Sequence, residues 1–287
     1  MGDTAGALKP NPPSRHVAHL ESITLMTRTA PLATKLAFAL FTAASLGGAW
    51  PALANKPALP TPAPAAATLA PGVDNLEIGV AALQRGHHAT ALRAWRTAAD
   101  QGNVKAQTNI GYLHEHGLGV PQSYVEAMAW YRKAATQNDP TAQFNIGTLY
   151  AYGHGVERNP REALVWFGLA ARQSLPDAQY MLGQAYHEGV GTPANAALAL
   201  DWFGKAARQG HSAGQMMSAQ VYLSGDAGKS DPYKAYVWSD VALRNGRTEA
   251  GLIRDYASYK LNQKTIDLAK QEAQRCLQSA YRQCPAP

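Results

Sequence analysis

A period of 36 residues runs through this chain and limits the folds open to it. Trp130, Trp166, Trp202 and Trp238 are each 36 residues apart. Two further sets of residues keep the same step, namely Gln107, Gln143, Gln179 and Gln215, and Gly117, Gly153, Gly189 and Gly225. A fixed period of this length is typical of a stacked repeat array, in which each unit packs only against its neighbours.

Each period is predicted to contain two helices joined by short turns. In the clearest unit, Asp139 is placed to cap the first helix, Pro140 occupies its first turn, and Gly153 ends it in a left-handed conformation. Asn159 then caps the second helix, with Glu162 as its capping-box partner. The apolar stripes are Ala142, Ile146, Leu149 and Tyr150 on the first helix, and Ala163, Trp166, Phe167 and Ala170 on the second.

The repeats divide the chain into predicted domains. Four units fill residues 105–246, and a degenerate unit without the Gly-x-Gly loop fills residues 73–104. The period is lost in residues 247–287, where two C-terminal capping helices are expected at Arg247–Leu261 and Lys264–Arg282. Neither helix of a unit can bury its stripe alone, so neighbouring units must stack. We therefore interpret the tryptophans as buried packing residues.

The repeat pattern resembles a known family. Residues 142–171 read Ala-Gln-x-x-Ile-Gly-x-Leu-Tyr-x-x-Gly-x-Gly-Val and then, after a gap, Ala-x-x-Trp-Phe-x-x-Ala-Ala. This pattern resembles the Sel-one-like repeat (SLR) family, a relative of the tetratricopeptide repeat, throughout residues 105–246 and loosely in 73–102. The resemblance implies an all-α fold, a right-handed superhelical solenoid of antiparallel helix pairs. It also implies a non-enzymatic interaction scaffold that needs no cofactor.

The first 72 residues read as targeting and spacer sequence. Residues 26–54 resemble a secretory signal peptide: a basic start, an apolar stretch from Leu36 to Ala49, and the small-residue triplet Ala52-Leu53-Ala54. Cleavage is predicted after Ala54, which would place the protein in the periplasm or outside the cell. An uncleaved anchor is the alternative, although the apolar stretch is short against the roughly 20 residues that a membrane span needs.

The segments on either side of this signal have their own predictions. Residues 1–25 are interpreted as a mis-called upstream extension, with Met26 as the true start. Residues 55–72 are rich in Pro and Ala and predict a semi-stiff linker. There is no cysteine at the cleavage point, so the sequence does not support a lipid anchor.

The net charge limits the expected partners, and the cysteine positions limit the expected C-terminal structure. The formal net charge is +6, and it falls to +4 without residues 1–54, which hold four bases and two acids. There is no basic run, so we expect no nucleic-acid partner. Cys276 and Cys284 are predicted to form a structural disulfide, with two free thiols as the alternative. Eight residues of helix would hold them too far apart, so the last helix must end near Tyr281.

The sequence offers few catalytic candidates. His114 and His116 lack the i, i+4 spacing of a helical zinc site, so no metal site is expected. No Gly-x-Ser-x-Gly or Ser-x-x-Lys motif occurs. One SLR group has been linked to β-lactams, but it carries a cysteine pair in each unit, and these repeats contain no cysteine. Two alternatives remain open, an envelope enzyme or accessory acting on β-lactam or peptidoglycan, and a polysaccharide-export adaptor.

The predicted binding surface is a stripe on the first helix of each unit. The residue type at its positions varies between units, whereas the frame positions, which include the periodic glutamines, glycines and tryptophans, keep one type. Spacings of i, i+4 and i+7 or i+8 place the stripe positions on one side of the helix. They are Thr108, Tyr112, Glu115 and His116; Phe144, Thr148 and Tyr152; Tyr180, Gln184, His187 and Glu188; and Met216, Gln220 and Ser224. By resemblance to the tetratricopeptide superhelix, this stripe lines a concave groove. Its expected occupant is a peptide segment or another protein of the cell envelope.

Overall fold

The computed structural model describes residues 75–286, and every structural statement below refers to that part of the chain. The predicted extension, signal peptide and linker lie outside the described residues. The described part is built of twelve α-helices and contains no strand. The helices are α1 Asn75–Gln84, α2 His88–Asp100, α3 Val104–His116, α4 Tyr124–Ala135, α5 Pro140–Tyr152, α6 Pro160–Arg172, α7 Pro176–Glu188, α8 Ala196–Ala207, α9 Ser212–Ser224, α10 Pro232–Arg244, α11 Ala250–Ser258 and α12 Gln263–Gln278.

The helices stack in consecutive pairs. The pairs α1–α2, α3–α4, α5–α6, α7–α8 and α9–α10 form hairpins, and the second helix of each hairpin also packs on the first helix of the next. We number these hairpins as units 0 to 4. This arrangement is the predicted all-α solenoid of helix pairs.

The predicted helix caps act as expected, except that the Asn159 amide donates to the Tyr150 carbonyl instead of to the Glu162 side chain. The Asp139 carboxylate accepts a hydrogen bond from the Ala142 amide at 2.8 Å, and Asn159 caps α6 in the same way. Gly153 ends α5 with a φ of +74°. Because a side chain in this left-handed region strains the backbone, glycine is favoured there. The first helix of unit 1 begins at Val104, one residue earlier than the predicted boundary.

In units 0 to 3 the hairpin is closed by a helical glycine that faces an aromatic ring. A Cβ added to Gly147 would lie 2.7 Å from the ring of Phe167. The same clash occurs in three other units, where the pairs are Gly79 with Trp95, Gly111 with Tyr131, and Gly183 with Phe203. These four rings are at most 1% exposed. The glycine therefore lets a large ring fill the space between the two helices of its own unit.

Unit 4 changes both members of this pair together. Ala219 stands at the glycine position and Ser239 at the ring position, and both side chains are fully buried. In unit 4 the Ala219 methyl group on α9 therefore occupies space between the helices, and the large ring at this position of α10 is absent. Unit 0 keeps the pair at a shorter spacing because its hairpin loop has three residues, against seven in unit 1.

The tryptophan prediction is correct for two units and incomplete for the others. Trp130 and Trp238 are buried, whereas Trp166 and Trp202 are half-buried. The neighbouring residues Phe167 and Phe203 are fully buried instead. In units 1 to 3 the central core position is thus the one after the tryptophan. In unit 0, Trp95 occupies that following position and Ala94 stands in line with Trp130.

The periodic glutamines join three helices at a time. The Gln179 amide donates to the Ala171 carbonyl of the preceding unit at 3.2 Å, and its carbonyl accepts from Gln209 at 2.8 Å. The other three glutamines accept in the same way from Gln137, Gln173 and Asn245. All four are at most 7% exposed. Because buried amides need partners, these bonds fix how each unit sits on the last.

The second loop glycine brings consecutive units into contact. Gly155 has a φ of +69°, and a Cβ there would lie 2.6 Å from the Cβ of Tyr124, the first residue of α4. Gly119 and Gly191 approach the preceding unit in the same way. The predicted Gly-x-Gly loop therefore combines a helix stop at its first glycine with an inter-unit contact at its second.

The C-terminal cap is shorter than predicted and folds back on unit 4. Its helices α11 and α12 end at Ser258 and Gln278, instead of Leu261 and Arg282. Helix α12 packs on α10, where the Tyr233 hydroxyl donates to the Glu272 carboxylate. The helix ends because Ala280 and Tyr281 adopt φ values of +48° and +67°, which reverse the chain.

This reversal brings the two cysteines together. Cys276 and Cys284 form a disulfide, with Cα atoms 4.6 Å apart. The segment that follows runs along unit 4, where the Ala286 carbonyl accepts hydrogen bonds from Tyr222 at 3.1 Å and Lys234 at 2.8 Å. The predicted pairing and the predicted fold-back are both present.

Candidate partner-binding groove

The predicted stripe divides into covered and accessible residues. Thr108, Phe144, Tyr180 and Gln184 are buried, with at most 9% of each exposed. Glu188 and Ser224 are exposed. The remaining stripe residues are half-buried, and they are Tyr112, Glu115, His116, Thr148, Tyr152, His187, Met216 and Gln220. The prediction of one open stripe is therefore wrong for four of its members.

The four covered residues serve packing between helices. The Thr108 hydroxyl donates to the Asp139 carboxylate, the cap of α5, at 2.9 Å. Phe144 packs on Phe167 with ring centroids 5.6 Å apart, and Tyr180 packs on Phe203 at 5.8 Å. Phe144 and Tyr180 are thus buried against the second helix of their own hairpin, and Thr108 against the next unit. Periodicity within one helix does not reveal either contact.

Glu115 also has an internal role. Its carboxylate accepts a hydrogen bond from the buried Tyr131 hydroxyl at 2.5 Å. Burial, and next the charge of Glu115, raise the pKa of Tyr131 well above its usual range. In unit 3, His187 stands 36 residues after Ala151 and 72 after Glu115, and its ring lies edge-on to Phe203 at 6.2 Å. In units 1 and 3, this position therefore contacts the central ring.

The accessible aromatic residues lie at the ends of the first helices. Tyr112 and His116 stack in α3 with ring centroids 4.1 Å apart. In unit 2, His154 stacks on Tyr152 at 5.6 Å and on Tyr124 of unit 1 at 4.6 Å. Half-exposed rings held in this way offer apolar contact area at a low cost in side-chain entropy.

The structure brings groove residues of units 2 and 3 close together. Burial raises the pKa of Tyr180 to about 12, and the charges of Glu188 and Tyr152 raise it as well, while Arg247 opposes them. Burial also raises the pKa of the Glu188 carboxyl, and the hydrogen bond from Gln184 opposes that rise. Charged groups of units 2 and 3, together with Arg247 after unit 4, thus act on Tyr180.

Sequence reasoning missed one row of the same surface. Asn109, Asn145 and Met217 stand at equivalent positions, 36 and 72 residues apart, and are half-buried. Each lies three residues before a predicted groove position, such as Tyr112, so it belongs to the same side of its helix. The Asn145 side chain also hydrogen-bonds Tyr131. Variation at a fixed period was the available signal.

The histidines do not converge on one another. His114 is half-buried, and burial lowers the pKa of its imidazole. Among residues 75–286, no group of three or more His, Cys, Asp or Glu side chains is placed to hold a metal ion.

Comparison with known proteins agrees with this geometry. The model of the Sel1 repeat family matches residues 104–139, 140–175, 176–211 and 212–246. A Sel1 repeat protein from Oxalobacter formigenes has a crystal structure that is 34% identical, with a TM-score of 0.58, over 61% of this chain and 72% of that one. The chain belongs to the Sel1 repeat family.

A second solved structure shares the fold. It is c5321, a protective antigen present in uropathogenic Escherichia coli strains that displays an SLR fold. It is 31% identical with a TM-score of 0.64, and the match covers 72% of this chain and 46% of c5321. No curated protein matches the chain.

Family membership indicates the general kind of function that such a surface serves. The Sel1 repeat is a scaffold fold typical of protein–protein interaction. The four matched repeats are units 1 to 4, so the half-exposed rings of α3 and α5 lie within matched repeats. Within residues 75–286, no helix is both long and apolar enough to cross a bilayer.

Proposed function

We propose that this Sel1 repeat protein is an exported, non-enzymatic scaffold of the bacterial cell envelope. It holds an extended segment of another protein against the first helices of its units. The contact consists of burial against half-exposed rings and hydrogen bonds to the polar side chains between them. No cofactor takes part.

The observation that carries this proposal is the contrast in residue type between the frame positions, which repeat in units 1 to 4, and the stripe positions, which vary. Frame positions keep one type across units, as with the buried glutamines that join three helices. The stripe position of Tyr112 holds Thr148, Gln184 and Gln220 in the next three units. A surface that the fold does not need to conserve, and that still carries large half-exposed rings, suits adaptable recognition.

Two observations support export. Cys276 and Cys284 are paired, and disulfides persist mainly in oxidising compartments. The similar protein c5321 is a protective antigen, and by analogy we place this chain outside the cytoplasm. The predicted signal peptide at residues 26–54 would direct that export.

Crosslinking and a binding measurement test the proposal together. A photo-crosslinking residue at Tyr112 or Tyr152 is expected to capture an envelope protein, which is then purified. Tyr152→Ala should weaken its affinity at least tenfold, because few residues carry most of the binding free energy in an interface. Tyr180→Ala is unsuitable because this ring belongs to the packed core.

The matched control is Tyr259→Ala, which removes a ring that is 86% exposed on the C-terminal cap. This variant should bind as tightly as the wild type. Circular dichroism should report the same helix content for all variants. Equal loss of affinity in both variants, or capture of the same protein from position 259, would contradict binding through the groove.

A further inference from the structure

Helix α7 carries three hydrogen-bond acceptors within about one turn that the array itself leaves under-used. They are the Gln184 carbonyl oxygen, the His187 Nδ1 atom and the Glu188 carboxylate. Among the described residues, Gln184 Oε1 and His187 Nδ1 are buried and have no hydrogen-bond partner. The Gln184 side chain is only 7% exposed, so this oxygen has lost its water as well. A buried acceptor without a donor costs about 1–3 kcal/mol.

Glu188 is an exposed anion without a cationic partner in the array. Gln184 Nε2 donates to its carboxylate at 3.3 Å, a long hydrogen bond. In the described part of the chain, no Lys, Arg or His nitrogen lies within 4.0 Å of this carboxylate. Its negative charge is therefore accessible to a cation of a partner.

The same position in the next unit differs. Gln220 stands 36 residues after Gln184 and is half-buried, and Ser224 takes the place of Glu188. The Ser224 hydroxyl donates to the Asp226 carboxylate at 2.7 Å and accepts from the Asp226 amide at 3.3 Å, so it is satisfied locally. The unsatisfied acceptors are therefore a property of α7 and not of the repeat.

We propose that α7 binds the guanidinium group of an arginine in the partner segment. This inference rests on the proposed function, because it names the chemistry that the groove recognises. A guanidinium presents several N–H donors in a planar fork, and here they would reach the Glu188 carboxylate and Gln184 Oε1 once that side chain turns outward. The half-buried ring of Tyr152, in the preceding unit, offers aromatic surface to a planar cation.

The chemistry of these three acceptors favours arginine over other charged groups as the ligand. All three groups accept hydrogen bonds, with His187 Nδ1 doing so in its Nε2-protonated tautomer. A carboxylate or phosphate would be repelled by Glu188. An ammonium group would neutralise the charge but would lack the planar fork that reaches two acceptors side by side.

Nuclear magnetic resonance with a small probe tests the site without the natural partner. The 15N-labelled mature chain is titrated to 100 mM with N-acetyl-arginine amide, and in parallel with the lysine and glutamate analogues. The arginine probe should shift the Gln184 side-chain amide and the backbone amides of residues 184–189. Lysine should bind more weakly, and glutamate should leave these signals unchanged.

Variants identify the groups responsible. Glu188→Gln and Gln184→Leu should each weaken arginine binding about tenfold, the value of a charge-assisted or buried hydrogen bond. Gln220→Leu, the same change one unit further on, should leave the affinity unchanged. The backbone spectrum of each variant shows whether the array is intact.

The proposal is overturned if the arginine probe leaves residues 184–189 unperturbed, if glutamate perturbs them equally, or if Gln220→Leu weakens binding as much as Gln184→Leu. These outcomes are separable from failure of the proposed function. Tyr152-dependent capture of a protein with no arginine response would retain the groove and remove the guanidinium site. An arginine response without such capture would retain the guanidinium site and remove the groove as a protein-binding surface.

Discussion

At the residue scale, this fold depends on helical glycines, which have no side chain and so let two helices approach closely. Gly147 lies inside α5, where glycine costs helix stability, yet a Cβ there would meet Phe167 at 2.7 Å and the Ala163 carbonyl at 3.2 Å. The backbone oxygen cannot move away cheaply. The absent methyl therefore permits the close approach of α5 and α6 around a fully buried ring.

Gly147→Ala should accordingly destabilise the protein by about 1–3 kcal/mol, the usual cost of overpacking a core. Gly168→Ala in α6 of the same unit is the matched control. Its new Cβ would meet only Arg172 Nη1 at 3.7 Å, so it should be neutral or stabilise by up to about 1 kcal/mol. Urea unfolding followed by circular dichroism measures both, and equal shifts in the two midpoints would refute this account.

This pairing shows what could be predicted from the sequence. Gly111, Gly147 and Gly183 each precede an aromatic residue by 20 positions, and Ala219 precedes Ser239 by the same step. The sequence therefore contained the signal. The stripe predicted for α6 included both Trp166 and Phe167, and the structure shows that Phe167 is the fully buried one. Gln184 was predicted to face the groove but is buried, because burial depends on contacts between helices, which no local pattern encodes.

At the element scale, side chains that cross helix boundaries hold the units in register. Gln179 in α7 bonds both Gln209, which follows α8, and the Ala171 carbonyl in α6. The sequence predicted that glutamine recurs at this position, but a period cannot say which groups it bonds. The structure shows that the repeated residue is an inter-unit connector as well as a core residue.

A double-mutant cycle on this connector should show strong coupling. Gln179→Leu should cost about 1–3 kcal/mol, because it removes two hydrogen bonds, one to the Ala171 carbonyl and one from Gln209. Gln209→Leu alone should cost less, since Gln209 is exposed and its amide can bond water. Once Gln179 is absent, the second substitution should add almost nothing, which gives a coupling energy of at least about 0.5 kcal/mol. Simple additivity in urea titrations would show that the bond contributes nothing.

The C-terminal element depends on its covalent link. The disulfide closes the chain from Cys276 to Cys284 and so positions the segment that reaches Tyr222. Cys284→Ser should destabilise the cap by about 2–3 kcal/mol, the effect of losing a short closed loop. Hydrogen exchange should become faster at residues 281–286 and stay slow in α3 to α8. The control Gln283→Ala changes an exposed side chain in the same loop and should exchange like the wild type.

At the scale of the whole molecule, tyrosines in all of units 1 to 4 have raised pKa values. Burial is the first cause of the raised pKa of Tyr131, Tyr152, Tyr180, Tyr222, Tyr233 and Tyr236. For Tyr180, Tyr222 and Tyr233 it reaches about 12. An unfolded chain ionises its tyrosines near pH 10. The folded array therefore keeps protons that the unfolded chain has already lost.

This difference predicts alkaline unfolding. Between about pH 10 and 12 the folded state binds more protons than the unfolded state, so the free energy of unfolding should fall as pH rises. The slope approaches about 1.4 kcal/mol per pH unit for each tyrosine that stays neutral only in the fold. Tyr180→Phe should make the loss of stability with pH less steep, whereas Tyr259→Phe, at a position 86% exposed, should leave the slope unchanged. Thermal melts across this range measure the slope, and absorbance at about 295 nm should show tyrosinate forming together with unfolding. Ionisation of most tyrosines near pH 10 in a chain that stays fully helical would contradict the prediction.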